Sequence, residues 1–204
     1  MPRKEERIQQ YLEETIQALL PVYDGDGSGS LVYTRKNRFR DSRSLPWLVN
    51  RLAHYFSLDL AVLRKRSASL LNQKHHLSIP LSPDLILLPV KVRQAALQGE
   101  TTIAYISLTE IENLQEIKDN PPYKSAILLH GGRVIKSLHG VSSLRERIRQ
   151  GELVGEDFRS RRKSTAAVTG LDSSELLSAL PGCTCFLKDL FTAVVSLAAK
   201  AGSF

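Results

Sequence analysis

The sequence predicts an α+β fold: a β-rich central antiparallel sheet domain with an N-terminal helix and C-terminal helices. Three observations carry this expectation. Short apolar or alternating runs recur between about residues 16 and 138, six or so in number, bounded by glycine, proline or aspartate. Two of these runs meet at Gly131-Gly132 as a hairpin would. Apolar residues at helical spacing cluster at the two ends of the chain and around Trp47.

Taken in order, Ile8, Tyr11, Leu12 and Ile16 predict a helix over 4–14. Ile16, Ala18, Leu20 and Val22 then alternate as a strand does, although Ile16, Leu19 and Leu20 would also prolong the helix. Asp24-Gly-Asp-Gly-Ser-Gly29 predicts a tight turn, since glycine supplies positive φ and aspartate caps backbone donors. Leu31 to Thr34 returns antiparallel. Ser44 followed by Pro46 marks a helix start, with Trp47, Leu48, Leu52, Tyr55 and Phe56 on one face. Arg64 to His76 reads as a polar, basic loop. Beyond it, Leu77 to Val90 contains the apolar run LILLPV after a turn at Pro83-Asp84, which predicts a buried strand closing at Pro89. Thr101 to Leu108 is β-branched and aromatic, as strands are. Ser125–Leu129 and Arg133–Leu138 form the glycine-joined hairpin. Ser143 with Glu146 three positions on has the form of a capping box, predicting a short helix over 144–150. Residues 155–170 read as a polar basic linker, and 171–180 and 186–199 as terminal helices broken at Pro181-Gly182. The expected organisation is therefore a domain over 1–154, the linker over 155–170, and a helical tail over 171–204. Leu187, Leu190, Phe191, Val194 and Leu197 recur at helical spacing in that tail and suit either a homo-oligomer contact or closure of the monomer's own core.

Bulk numbers narrow the function classes. At 204 residues, 42% hydrophobic and 24% charged, the chain has the composition of a folded protein with a real core. The opening MPRKEERIQQ is charged where a secretory segment needs an apolar stretch, and the longest apolar run, Phe191 to Ala199, falls short of the roughly 20 residues that cross a bilayer. Cys183 and Cys185 are the two cysteines, too few for a disulfide framework, so a cytoplasmic protein without membrane attachment is expected.

Catalytic and metal motifs fare poorly. Asp24, Asp26, Ser28, Gly29 and Leu31 imitate positions 1, 3, 5, 6 and 8 of a calcium-binding loop, but Arg35 stands where the bidentate glutamate belongs. A hairpin turn is the better reading. His54, His75, His76, His130 and His139 form no ligand spacing; His54 is expected to be partly buried on its helix, and the others at turns or strand ends. Glu110 and Glu112 read as a solvated strand edge. No nucleophile elbow, phosphate loop or dinucleotide glycine pattern occurs. The sequence predicts no enzyme, no cofactor and no metal.

Charge is where the chain departs from the ordinary. Its net charge is +7, yet residues 31–76 alone carry ten Lys/Arg against two acids, and residues 131–163 carry nine against four. Blocks of this kind attract a duplex by counterion release. Arg35, Lys36, Arg38, Arg40, Arg64, Lys65, Arg66 and Lys74 form the expected DNA surface, with Arg133, Arg145 and Arg149 extending it, and the two blocks are expected to converge into one groove. Arginine matches phosphate bidentately and enters narrow minor grooves. Arg159, Arg161, Arg162 and Lys163 read equally as a basic arm or a solubilising spacer.

Over residues 14–150 the chain resembles the competence transcription factor (ComK) family. The resemblance rests on the order of four segments: RLAHYFSLDLAVLRKRS (51–67), KHHLSIPLSPDLILLPV (74–90), TTIAYISLTEIENLQ (101–115) and AILLHGGRVIKSLHGVSSLRERI (126–148). Arg64 and Lys65 match the family's Arg-Lys, Lys74 its lysine before the apolar strand, and Pro89 the proline at that strand's end. Tyr105 stands where the family has tryptophan, Val90 where it has threonine, and Ser57 to Leu63 lacks its glycines, as in a divergent member. The resemblance implies a bacterial transcription activator that binds paired A/T-rich boxes through the minor groove as a multimer, under control of an adaptor of an ATP-dependent protease. IAYISLTEI followed by a hairpin and SSLRERI is also similar to LytTR DNA-binding domains. The rival expectation is an adaptor module whose basic face meets an acidic protein.

Overall fold

The computed structural model describes residues 4–24, 27–95 and 100–169. Cys183, Cys185 and the expected terminal helices lie outside the described residues. The chain divides into two compact units, Met1–Arg159 and Ser160–Phe204, and both sheets with their cores belong to the first.

Helix α1 (Lys4–Glu13) leads into strands β1 (Ile16–Asp24), β2 (Gly27–Thr34) and β3 (Arg38–Asp41), then helices α2 (Leu45–Tyr55) and α3 (Leu60–Leu71). Strands β4 (Ile79–Ser82), β5 (Leu85–Lys91) and β6 (Ile103–Ser107) follow, with a single 3-10 turn over Leu108–Glu110. Strands β7 (Ile111–Glu116), β8 (Ser125–Leu129) and β9 (Arg133–Ser137) precede helix α4 (Val141–Thr169). All pairings are antiparallel, in a six-stranded sheet of order β3-β2-β1-β6-β5-β4 and a three-stranded sheet of order β7-β8-β9. The α+β architecture is the one the sequence predicts.

The large sheet is buried on both faces. Successive residues of β1 show it: Leu19 joins a core with Ile8 and Tyr11 of α1, Leu48 and Leu52 of α2, and Leu63 of α3. Its neighbour Ala18 joins a second core with Ile106, with Ile127, Leu129 and Ile135 of the small sheet, and with Leu144 of α4. A strand with two apolar faces needs a continuous apolar run, which is why Leu85–Val90 does not alternate. Pro89 is tolerated inside β5 because β4 pairs only with Leu85–Leu87, leaving the strand's later half without that neighbour. The Arg147 Nη1 donates to the Pro89 carbonyl there at 3.4 Å.

Two helices differ from expectation. Residues 60–71 are helical where a loop is predicted from Arg64 onward. Asp59 caps α3, its carboxylate accepting from the Ala61 and Val62 amides, and Asn72 closes it in the left-handed region at φ 50°. Helix α4 begins at Val141 and runs to Thr169, so the stretch expected as a linker from 155 is helical. The capping box does not start it: the Gly140 carbonyl accepts from the Leu144 amide, and Glu146 accepts from Arg149 and Gln150. Gly151 and Gly155 sit inside this helix for a packing reason. A Cβ at Gly151 would lie 2.3 Å from Leu88 Cδ2, and one at Gly155 2.3 Å from Ile86 Cδ1, so the pair lets α4 lie directly on β5.

The Gly131-Gly132 hairpin forms as expected, with φ of 86° and 81°. Strands β1 and β2 stay paired out to Asp24 and Gly27, so Gly27, Ser28 and Gly29 of the predicted turn belong to β2.

Candidate nucleic-acid interface

Two of the expected DNA-binding arginines, Arg35 and Arg133, are tied by their guanidinium groups to one buried polar network. A register shift in β1 between Ile16 and Ala18 turns Gln17 inward, where it is buried. Gln17 Nε2 donates to Glu110 Oε2 at 3.1 Å and to the His130 carbonyl at 2.6 Å. Arg35 donates to both Glu110 oxygens, Nη2 to Oε1 at 2.8 Å and Nε to Oε2 at 3.0 Å. Arg133 Nη1 donates to the Thr34 carbonyl at 2.7 Å and to Gln17 Oε1 at 3.2 Å, with its guanidinium over the Tyr33 ring. Glu110 is therefore a buried anchor, not the solvated edge its sequence context predicts; Glu112 beside it is exposed. Burial alone pushes the Glu110 carboxyl up, but hydrogen bonds from Arg35 and Gln17 outweigh it and hold the group below the usual carboxylate range.

A second cation of the first basic block is also neutralised. Arg43 donates to the buried Asp41 carboxylate, to Oδ1 at 2.7 Å from Nε, and stacks 4.2 Å from the centre of the Trp47 ring. Tyr11 donates to the same carboxylate at 3.3 Å, and burial followed by the Asp41 charge pushes its phenol up to about 12.

Lys36, Arg38 and Arg40 are exposed on the β2–β3 turn and on β3. Phe39 packs toward Tyr11 in the helix-side core, so strand alternation sends Arg38 and Arg40 to the opposite face. Arg64, Lys65 and Arg66 are exposed on α3. That helix packs on β4, and Ser67 Oγ donates to the Ser78 carbonyl at 2.9 Å. Strands β3 and β4 are the two outermost of six, so the cationic groups stand at opposite edges, roughly 24 Å apart at the usual strand spacing. The first basic block is therefore split between the two edges of the sheet. Contiguity in sequence concealed this, because helices α2 and α3 carry the chain across the whole width of the sheet.

The two basic blocks do meet elsewhere. The α3–β4 loop, with exposed Lys74, faces the start of α4 across a surface pocket lined by Gln73, His75, His76, Ser142, Ser143 and Arg147. Arg149 is exposed on α4 and ion-paired with Glu146 at 2.8 Å. Arg145 lines a different groove, beside β7. Arg147 and the two histidines line this pocket, and the charge blocks alone do not single them out. His54, expected to be partly buried, is exposed, whereas the Nε2 of His139 is buried without a hydrogen-bond partner.

Among the described residues no group of three His, Cys, Asp or Glu is placed to hold a metal ion, and no helix is long and apolar enough to cross a membrane. Compared with known proteins, the chain matches no family model, no curated protein and no solved structure.

Proposed function

We propose that this protein binds duplex DNA as a transcription regulator, using the outward face of α3 and the basic loop beyond it. The observation that carries the reading is the chemistry of that element. Helix α3 has the sequence LAVLRKRSASLL, three consecutive cations and no acid, and all three are exposed. Residues 64, 65 and 66 fan over roughly 200° of the helix circumference, so the helix can meet phosphates on both sides of a groove. Lys74 extends the same positive strip. Lys36, Arg38 and Arg40 form a second strip at the far sheet edge, suited to a more distant turn of a bent duplex.

Phosphate contacts then supply most of the affinity. Preference for A/T-rich boxes, minor-groove entry and assembly into a multimer come from the resemblance to the competence transcription factor family, and are proposed with it. The commitment of the Arg35 and Arg133 guanidinium groups to Glu110, Gln17 and Thr34 leaves the interface smaller than the charge count implies.

Fluorescence anisotropy with labelled short duplexes tests the reading. An A/T-rich duplex is expected to bind at least about tenfold tighter than a G/C-rich one at physiological salt. The reading fails if neither duplex binds while an acidic protein partner is retained, which is the behaviour of an adaptor.

A further inference from the structure

The pocket between the α3–β4 loop and α4 has a composition that the duplex reading does not require. It encloses about 460 Å³ and is lined by Gln73, His75 and His76 from one side and Ser142, Ser143 and Arg147 from the other. Arg147 is the informative residue. It is half-buried, and its hydrogen bond within the protein is the 3.4 Å one to the Pro89 carbonyl. Among the described residues no carboxylate pairs with it, and burial depresses its basicity. A guanidinium taken partly out of water without an anion is costly unless something else supplies the charge. Glu146, the acid on the pocket wall, is committed to Arg149 and Gln150 at 2.8–3.0 Å.

The surroundings reinforce the imbalance. Burial, then Arg147, His75 and Lys91, all act to keep a proton off His76. Burial, then Arg147, His76, Lys91 and Lys124, hold His139 down at about 4. Every charged neighbour acting on these two rings is basic. In the loop, Asn72 and His76 adopt the left-handed region at φ 50° and 55°.

We propose that this pocket is a phosphate-binding site, with Arg147 as the charge partner and His75, His76, Ser142 and Ser143 as further donors. The size admits a phosphate with an attached group, and hydroxyl, imidazole and guanidinium donors are those that phosphate oxygens take. The phosphate belongs either to the DNA backbone or to a free phosphorylated ligand, and the two sources are separable.

Inorganic phosphate, titrated against sodium chloride at matched ionic strength, is the probe. Calorimetry on the wild-type chain without DNA is expected to show saturable binding, and the His76 imidazole resonance to titrate at higher pH once phosphate is present. Arg147→Met, which keeps the packing stem, and His76→Asn, which suits a positive φ, are each expected to weaken phosphate binding at least about tenfold. Both are used so that a folding defect in one leaves the other decisive. Binding of a short duplex then assigns the source: a backbone site loses duplex affinity in Arg147→Met and is competed by phosphate, whereas a free-ligand site leaves duplex affinity unchanged. Absence of saturable phosphate binding in the wild type, or binding untouched by both variants, overturns the site. Because the first measurement contains no DNA, the pocket and the duplex surface stand or fall separately.

Discussion

Replacing Arg35 with alanine separates a structural arginine from a DNA contact. Arg35 is 55% exposed, but the carboxylate it serves, Glu110, is 1% exposed. The substitution leaves that buried carboxylate with Gln17 as its remaining side-chain donor, at 3.1 Å. Leaving the buried Glu110 oxygens short of donors costs about 1–3 kcal/mol, and the solvent that reaches this side of the pair with the surviving Gln17 bond places the loss near the lower end, about 1 kcal/mol. With a urea slope of roughly 2 kcal/mol/M, the unfolding midpoint at pH 7 should fall by about 0.5 M. The pH dependence carries the sharper test. In the wild type the Glu110 carboxyl lies below its unfolded value, so its contribution is present at neutral pH and is lost as pH falls through the acid range. Without Arg35, desolvation goes largely unopposed and raises the folded-state pKa above the unfolded one. The variant then gains stability relative to the wild type as pH falls from 7 toward 4.5. Urea unfolding of both proteins at pH 7 and pH 5 should show the gap narrowing. Equal midpoints at pH 7, or a gap independent of pH, would refute the anchoring role and return Arg35 to the DNA surface.

Further consequences concern packing, capping and acid stability. Gly151→Ala and Gly155→Ala each gain up to about 1 kcal/mol in helix propensity, but each places a methyl 2.3 Å from a buried β5 side chain, an overpacking cost of about 1–3 kcal/mol. Net destabilisation in urea is expected, and a clear increase in stability would show that α4 does not press on β5. Asp59→Ala removes the acceptor for two amides at the start of α3 and should cost about 1 kcal/mol, with reduced duplex affinity because the same helix presents Arg64–Arg66; retention of both would disconnect the cap from the interface. His139, held at about 4 against an unfolded value near 6.5, binds its proton more readily in the unfolded chain. Stability should therefore be full above about pH 6.5 and decline as pH falls toward 4, by at most about 3 kcal/mol, less the share that solvent removes at this part-exposed ring. His139→Gln should flatten that limb in a thermal-melt series, and an unchanged limb would assign it to other groups.

Most strands were legible because their signals are local: β-branched runs, the Pro83-Asp84 turn and the Gly131-Gly132 pair each declare themselves within a few residues, whereas the short edge strands β3 and β4 were not read as strands. Helix α3 was hidden because its buried stripe is thin. Leu63 and Ser67 are its buried residues, and the Arg-Lys-Arg-Ser run opens a polar, basic stretch that looks like a loop despite Asp59 at its head. The length of α4 was hidden as well. The polar composition of 155–170 reads as a linker, whereas Gly151 and Gly155 are the residues that let a continuous helix approach Leu88 and Ile86. The fate of Arg35 and Arg133 depends on Glu110 and Gln17, whose partners lie 75 to 116 residues away in sequence. No local pattern encodes such a network. Charge blocks located the cationic residues correctly, but only the sheet order separates β3 from α3.

The salt dependence of duplex affinity tests the DNA interface most directly. Plotting log K against log salt for the wild type and for a variant with Arg64, Lys65 and Arg66 all replaced by alanine gives two slopes. If each of the three side chains neutralises one phosphate, the variant's slope should be shallower by about 2.7. Parallel lines would place the DNA, if it binds at all, on some other surface than α3.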